Sequence, residues 1–332
     1  MQTVRWGILG PGRISRKFAA ALGEAEGAVL VAVGSRDGAR AAAFAADFGI
    51  APAHAHGSYE ALAADPLVDA VYIGTPHSGH EEHTLLCLAR GKHVLCEKPL
   101  AINAAQAERM IAAARAGGLA LMEAMWTRFL PSIVRVRELV DEGHIGEVRL
   151  VTADFGFRAA FDPDSRLFAP QLGGGSLLDL GIYPLTLASM LCGDPVDIQA
   201  TANLGVTGVD EEIAIILRHA RGELAVLAAS LRVDTPREAH IMGTKGHIRI
   251  ICPWWAGTRI GVRVGDGDEQ VIDLPSRGAG YTHEAEAFMD LIRAGRTESA
   301  VMPLRESLAV MRTMDAVRAQ CGVRYPVDGD GS

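Results

Sequence analysis

Gly7-Ile8-Leu9-Gly10-Pro11-Gly12-Arg13-Ile14-Ser15 limits this chain more than any other stretch. It follows an apolar run at 4–9 and opens a helix-period run at 13–22. Glycine at positions 10 and 12 lets the backbone turn tightly and come close to a pyrophosphate. The helix start behind them offers free N–H groups and a positive dipole end. Ser15, a small residue, stands where the GxGxxG pattern has its third glycine. At a strand-to-helix junction heading a βαβ series, the pattern predicts a dinucleotide site, with Gly10, Pro11, Gly12, Arg13 and Ile14 against the cofactor.

The rest of the first half continues that series. Apolar runs at 29–34, 70–74, 93–96 and 120–123 alternate with alanine-rich helical runs at 38–47, 81–90 and 104–116, which predicts a parallel sheet. Asn103 with Gln106 reads as a helix start, and Gly117-Gly118 as its stop. After Trp126 the rhythm changes. A helix at 131–141 leads into a long strand at 147–157, then a Gly-rich loop and another helix. Strand runs follow at 196–204, 213–219, 224–232, 239–242, 247–251, 259–264 and 270–274, and helices at 283–294 and 304–319 close the chain. The turns at 243–246 and 265–268 suit hairpins. The predicted fold class is α/β, with a Rossmann dinucleotide-binding domain over 1–125. A C-terminal α+β domain over 126–332, for substrate binding and oligomerisation, is built on an open, predominantly antiparallel sheet. Ile213, Ile215 and Leu217 alternate with Ala214, Ile216 and Arg218, so one face is reliably apolar. An open sheet of this kind exposes too much apolar area alone, which predicts a homodimer through the C-terminal sheet. The tail at 327–332 is polar and reads as loose.

Composition removes several classes. Lys+Arg total 32 against 40 Asp+Glu, a formal charge of −8, which argues against a nucleic-acid partner. No run approaches the ~20 apolar residues of a membrane span, and the first residues lack the basic and long apolar regions of an export signal. Cys87, Cys96, Cys192, Cys252 and Cys321 are odd in number and widely spread. They read as reduced thiols in a cytoplasmic protein. His54, His56, His83, His93, His219 and His240 show no spacing with acidic partners that marks a metal site, so no metal is expected.

The end of the second strand decides the cofactor. An acidic residue there holds a ribose 2′-OH, whereas arginine accommodates a 2′-phosphate. Ser35, Arg36 and Arg40 supply a hydroxyl and two guanidinium groups, which suit a dianionic phosphate. NADP is therefore expected over NAD, with Asp37 pointing away.

Two stretches carry chemistry. Glu97-Lys98-Pro99 sits at the carboxyl end of a predicted parallel strand, the edge where open α/β sheets bind ligands. Pro99 keeps Lys98 out of the helical region, so Lys98 ends the strand. In Gly173–Pro184, Asp179 and Tyr183 are four apart and share one face of a helix. A carboxylate and a phenol projecting together can orient a polyol and move a proton. Pro184 implies a helix start or kink close by.

Taken together, these residues resemble the glucose–fructose oxidoreductase / inositol dehydrogenase / MocA family over essentially the whole chain. The hallmarks are Gly10-Pro11-Gly12, Thr75-Pro76-His77-Ser78-Gly79-His80, Glu97-Lys98-Pro99 and Asp179-Leu180-Gly181-Ile182-Tyr183. The stretches 121–129 and 243–246 are most similar to the dihydrodiol dehydrogenase and NADP-dependent D-xylose dehydrogenase branches. The resemblance implies an oxidoreductase acting on a sugar, cyclic polyol or trans-dihydrodiol. Tyr183 would be the general acid/base, Lys98 would lower its pKa, and Asp179 would orient substrate. A cis Lys98–Pro99 bond is implied too. Thr75, Pro76 and His80 would line the nicotinamide side, with Glu97 beside them. His77 departs from the asparagine usual in the motif. Trp126, Arg128, Phe155 and Trp254 match positions near the substrate. The alternatives are a keto-sugar or dicarbonyl reductase using the same site, and a non-catalytic dinucleotide-binding sensor.

Overall fold

The computed structural model describes residues 2–329. The chain forms two compact units. The first runs through Ala101 and adds Ala105–Phe129 and Arg277–Leu308. The second holds Ile102–Ala104, Leu130–Ser276 and the chain from Ala309 onward. Both units are discontinuous in sequence.

In the first unit the expected alternation is present as β1 (Val4–Leu9), α1 (Arg13–Leu22), β2 (Ala28–Gly34), α2 (Gly38–Phe48), β3 (Ala55–His56), α3 (Tyr59–Ala64), β4 (Ala70–Ile73), α4 (His80–Ala89), β5 (His93–Glu97), α5 (Ala104–Gly117) and β6 (Leu121–Ala124). β3 and α3 are additions to the sequence reading. Ser58 Oγ caps α3 by accepting from the Ala61 N–H at 3.1 Å. All pairs are parallel, and the strand order is β3-β2-β1-β4-β5-β6. This is the doubly wound order, whose switch point lies between β1 and β4. Val94, Leu95, Val71 and Ile8 are fully buried, as strands covered on both faces require.

The second unit contains α6 (Pro131–Asp141), β7 (Val148–Gly156), α7 (Ile182–Cys192), β8 (Pro195–Leu204), β9 (Asp210–His219), β10 (Leu224–Ser230), β11 (Ala239–Gly243), β12 (Gly246–Ile250), β13 (Arg259–Val264) and β14 (Gln270–Asp273). Its sheet runs β14-β13-β12-β11-β7-β10-β9-β8. Every pair is antiparallel except β7 with β10. One face is apolar as predicted: Ile213, Ile215, Leu217, Ala225 and Leu227 are buried, whereas Ile216, Leu224 and Val226 on the other face are exposed.

α8 (Tyr281–Arg293) belongs to the first unit, not the second. Its Phe288 lies 5.6 Å from Trp6, which meets Phe18 edge-on at 5.3 Å, and Phe18 stacks on Tyr72 at 3.9 Å. These rings tie α8 to the parallel sheet. α9 (Leu304–Cys321) closes the chain's regular structure.

The helical run Pro170–Cys192 is long and apolar enough by composition to cross a membrane, contrary to the sequence reading, yet 94% of its apolar window is buried inside the protein. It is a core segment packed on β7 and β10. The tail is not loose at its start. Pro326–Asp328 form a 3-10 turn, and Arg318 donates to Asp328 at 2.7 Å. The remainder of that tail, 330–332, lies outside the described residues.

Candidate functional site

Four strand ends carry residues expected to face a cofactor, and all lie at the carboxyl edge of the parallel sheet. Gly10 follows β1, Ser35 follows β2, Thr75 follows β4 and Lys98 follows β5.

At the β1 end Gly10 has φ +88°, and a Cβ there would stand 2.8 Å from Thr75 Cγ2. Only glycine fits such a turn. The Gly12 N–H donates to the Gly10 carbonyl at 2.8 Å. No side chain caps α1 at Gly12, which leaves the first helical turn's backbone donors and dipole end suited to a phosphate. Ser15 is fully buried, and its hydroxyl donates to the Gly10 carbonyl at 2.6 Å. The room for that hydroxyl comes from Gly74, where a Cβ would lie 2.1 Å from Ser15 Oγ. The missing third glycine of the motif is thus offset by a glycine on the neighbouring strand end.

At the β2 end Asp37 caps α2. Its carboxylate accepts from the Ala39 N–H at 2.9 Å and the Arg40 N–H at 3.3 Å. Arg36 and Arg40 are exposed and Ser35 is buried. His83 is pulled down to about 4 by burial and by the Arg36 charge. Its Nδ1 lies 3.0 Å from Thr75 Oγ1, so the arginine and the β4 end share one neighbourhood.

At the β4 end Pro76 precedes a 3-10 turn, His77–Gly79, that runs into α4. His80 is buried between two carbonyls, with Nδ1 2.8 Å from Pro99 O and Nε2 3.0 Å from Thr75 O. Burial pulls its pKa down to about 4. His80 therefore ties the β4 loop to the β5 loop from beneath. His77 is buried beside it, ring centroids 5.7 Å apart.

At the β5 end the Lys98–Pro99 peptide is cis, as expected. The Lys98 N–H donates to Glu97 Oε2 at 3.1 Å, and the Tyr72 hydroxyl donates to Glu97 Oε1. Glu284 from α8 is fully buried. Burial and the Glu97 charge push its carboxyl well above the usual range. Glu123 accepts from the Leu100 N–H at 2.9 Å, and burial pushes it to about 6. The Lys98 loop is thus seated on a layer of buried carboxyl groups, of which Glu123 and Glu284 carry no signal in the sequence. Trp126 stacks on Tyr281 at 4.7 Å, and buried Arg128 is ion-paired with Glu306.

Tyr183 lies in the second unit. The turn at Leu177–Gly181 is a π-helix that runs directly into α7. Pro184 has no N–H for the Leu180 carbonyl, so a widened turn just ahead of it meets less conflict. The glycines before this turn have a packing cause. Gly175 has φ +115°, and its Cβ would sit 2.4 Å from Asp210 Oδ1. Asp210 Oδ2 accepts from Ser176 Oγ at 2.7 Å and the Leu177 N–H at 2.6 Å. Asp179 accepts from Arg166 at 2.9 Å, a partner in the loop before the motif that sequence spacing did not suggest.

Tyr183 meets Phe155 edge-on at 5.3 Å, and Phe155 stacks on Trp255 at 3.4 Å. Trp254 is fully buried and donates through Nε1 to the Asp154 carbonyl at 2.8 Å. The structure therefore groups Tyr183 and Phe155 with Trp255, and turns Trp254 into the sheet.

A doubly wound sheet with a glycine turn, an uncapped helix start and a lysine at its carboxyl edge defines a dinucleotide-binding class. The chain belongs to the GFO/IDH/MocA family: residues 4–125 match its oxidoreductase family, NAD-binding Rossmann fold, and 133–249 its C-terminal domain. It is an NAD(P)-binding oxidoreductase of that family. It is 39% identical over 334 residues to trans-1,2-dihydrobenzene-1,2-diol dehydrogenase from Xenopus tropicalis, covering 97% of this chain and 99% of that one. The Homo sapiens enzyme of the same name is 37% identical, with 98% and 99% covered. Among solved structures, aldose-aldose oxidoreductase from Caulobacter crescentus is 28% identical with TM-score 0.88, covering 97% of this chain and 98% of that one. A 3-ketoreductase from Actinomadura kijaniata, solved with NADP and TDP-benzene, is 28% identical with TM-score 0.84, with 96% and 98% covered.

Proposed function

We propose that this protein is an NADP-dependent dehydrogenase that oxidises a trans-dihydrodiol, sugar or cyclic polyol. Tyr183 acts as general acid/base, assisted by Lys98, and Asp179 orients the substrate. The observation that carries the reading is the arrangement of one sheet edge. The Gly10 turn, the arginines beyond β2 and Lys98 all stand at the carboxyl ends of parallel strands. Relatives named as dihydrodiol dehydrogenases align with 97% of this chain.

Bound nicotinamide dinucleotide supplies the hydride acceptor. The chain supplies the rest. Gly10, Pro11, Gly12, Arg13 and Ile14 form the turn and helix start for the pyrophosphate. Ser35, Arg36 and Arg40 take the 2′-phosphate, and Asp37, held as a helix cap, does not oppose it. Thr75, Pro76, His77, His80 and Glu97 shape the nicotinamide side. Tyr183 removes the hydroxyl proton. Trp126, Arg128, Phe155 and Trp254 were the expected substrate contacts; the stacking of Trp255 on Phe155 supports replacing Trp254 by Trp255 in that set.

A second reading, reduction of a keto-sugar by the same residues in reverse, is supported by the 3-ketoreductase likeness. The exposed apolar residues Ile216, Leu224 and Val226 support a homodimer through the open sheet. The free thiols of Cys87, Cys96 and Cys192 support a cytoplasmic setting. The deciding experiment is a panel of dihydrodiols, aldoses, cyclic polyols and keto-sugars assayed by absorbance of the reduced cofactor, with both NADP and NAD. Turnover with a diol or sugar and NADP is the expected result. Cofactor binding without turnover on any member would convert the reading to a sensor.

A further inference from the structure

We propose that His54, His56 and Asp65 form a binding site for a transition-metal dication of the Zn²⁺ type, at the β3 edge of the parallel sheet. The three side chains come from separate places. His54 ends a 3-10 turn, Pro52–His54, and His56 lies in β3, and both rings turn to one carboxylate. Asp65 lies just past the end of α3. All three ligating atoms lie within 4.8 Å of one another. His54 Nδ1 is 2.6 Å and His56 Nε2 2.8 Å from the same carboxylate oxygen, Asp65 Oδ2.

The carboxylate is held for this purpose rather than floating. Its other oxygen accepts from the Leu67 N–H at 2.9 Å. The Asp65 carbonyl accepts from Lys92 Nζ at 2.7 Å, and Lys92 also reaches the Val68 carbonyl at 2.7 Å. Such second contacts fix the direction of a ligand before metal arrives. The Asp65 side chain is 2% exposed, while the His54 and His56 side chains are 27% and 18% exposed. The carboxylate is thus anchored inside and the imidazoles open to solvent, which leaves an entry path and a coordination position for water.

The chemistry selects the ion. Two imidazoles and one carboxylate suit Zn²⁺, Co²⁺, Ni²⁺ or Cu²⁺ and not Mg²⁺ or Ca²⁺, which want oxygen ligands. Metal–ligand bonds of about 2.0–2.1 Å at tetrahedral angles place neighbouring ligand atoms roughly 3.3 Å apart. From 2.6 and 2.8 Å, His54 and His56 therefore need to withdraw from Oδ2 by about 0.7 and 0.5 Å. Each neutral ring keeps its proton on the nitrogen that does not bind. The Lys92 ammonium, held on the Asp65 and Val68 carbonyls, weakens the site by its charge. Bound metal would pin the end of α3 to β3.

The test is Zn²⁺ and Co²⁺ titration of the full chain, freed of metal by chelator, followed by calorimetry, visible absorbance of Co²⁺ and thermal melting. The expected result is one ion per chain tighter than about 10 µM, a tetrahedral Co²⁺ spectrum and a raised Tm that chelator reverses. His54→Gln/His56→Gln should weaken binding at least tenfold and lose the Tm rise, with NADP binding unchanged. His54→Gln alone, at the more exposed ring, serves if the double variant does not fold. Absence of stoichiometric uptake would overturn the proposal. So would binding that survives both substitutions, which would direct attention to the His240–His247 contact at 2.9 Å.

Discussion

The Ser15 hydroxyl donates to the Gly10 carbonyl at 2.6 Å, closing the nucleotide turn on itself from within α1. It reaches there because position 74 has no side chain. Gly74→Ala should destabilise the protein by roughly 1–3 kcal/mol through overpacking. Ser15→Ala removes the oxygen that the new methyl meets. The double variant should recover at least about 1 kcal/mol relative to additivity. Denaturant melts of the four proteins measure the coupling, and strict additivity would separate the two positions.

Cofactor choice rests on Arg36 and Arg40. A charge-assisted hydrogen bond contributes about 1.5–3 kcal/mol, so Arg36→Ala should lower kcat/KM for NADP roughly 10–100-fold and leave NAD nearly unchanged. Arg40→Ala should act in the same direction. Steady-state kinetics with both cofactors decides this. A wild-type protein that prefers NAD tenfold would contradict the assignment.

Tyr183→Phe removes the proton-transferring oxygen and keeps the ring that meets Phe155. Turnover should fall about 10²–10⁴-fold, while cofactor binding measured by fluorescence persists. Lys98→Met should follow the same pattern. Near-full turnover in the phenylalanine variant would take Tyr183 out of catalysis.

Glu284 makes folding pH-dependent. Burial and the Glu97 charge raise its folded pKa well above 4.5. Below that value both folded and unfolded chains carry the proton. As pH rises above it, the unfolded chain ionises first and stability is lost. Glu284→Gln should therefore remove part of this slope. The variant should gain at least about 1 kcal/mol over wild type at pH 8 relative to their difference near pH 4.5. Chemical denaturation at the two pH values tests it, and parallel curves would show Glu284 ionised in the fold.

Much of the fold was legible because its signals are local. Glycines after β1, apolar runs of strand length and intervening alanine-rich helices depend on residues adjacent in sequence, and they placed Gly10, Ser35, Thr75 and Lys98 on strand ends that the structure brings to one edge. The alternation of Ile213, Ile215 and Leu217 with Ala214, Ile216 and Arg218 likewise set which face of β9 is buried. Side-chain partners across the fold have no such local mark. The choice of Trp255 over Trp254 beside Phe155 depends on which way a 3-10 turn rolls. The pairing of Arg166 with Asp179 depends on how a loop returns. The return of α8 to the first unit depends on Trp6, Phe18 and Phe288 meeting across nearly the whole chain. The convergence of His54 and His56 on Asp65 needed α3, a helix too short for periodicity to announce. Backbone conformation answers to neighbours in the chain and is written there. Which side chains share a buried charge or a ring face answers to packing, and packing exists only after the chain has closed on itself.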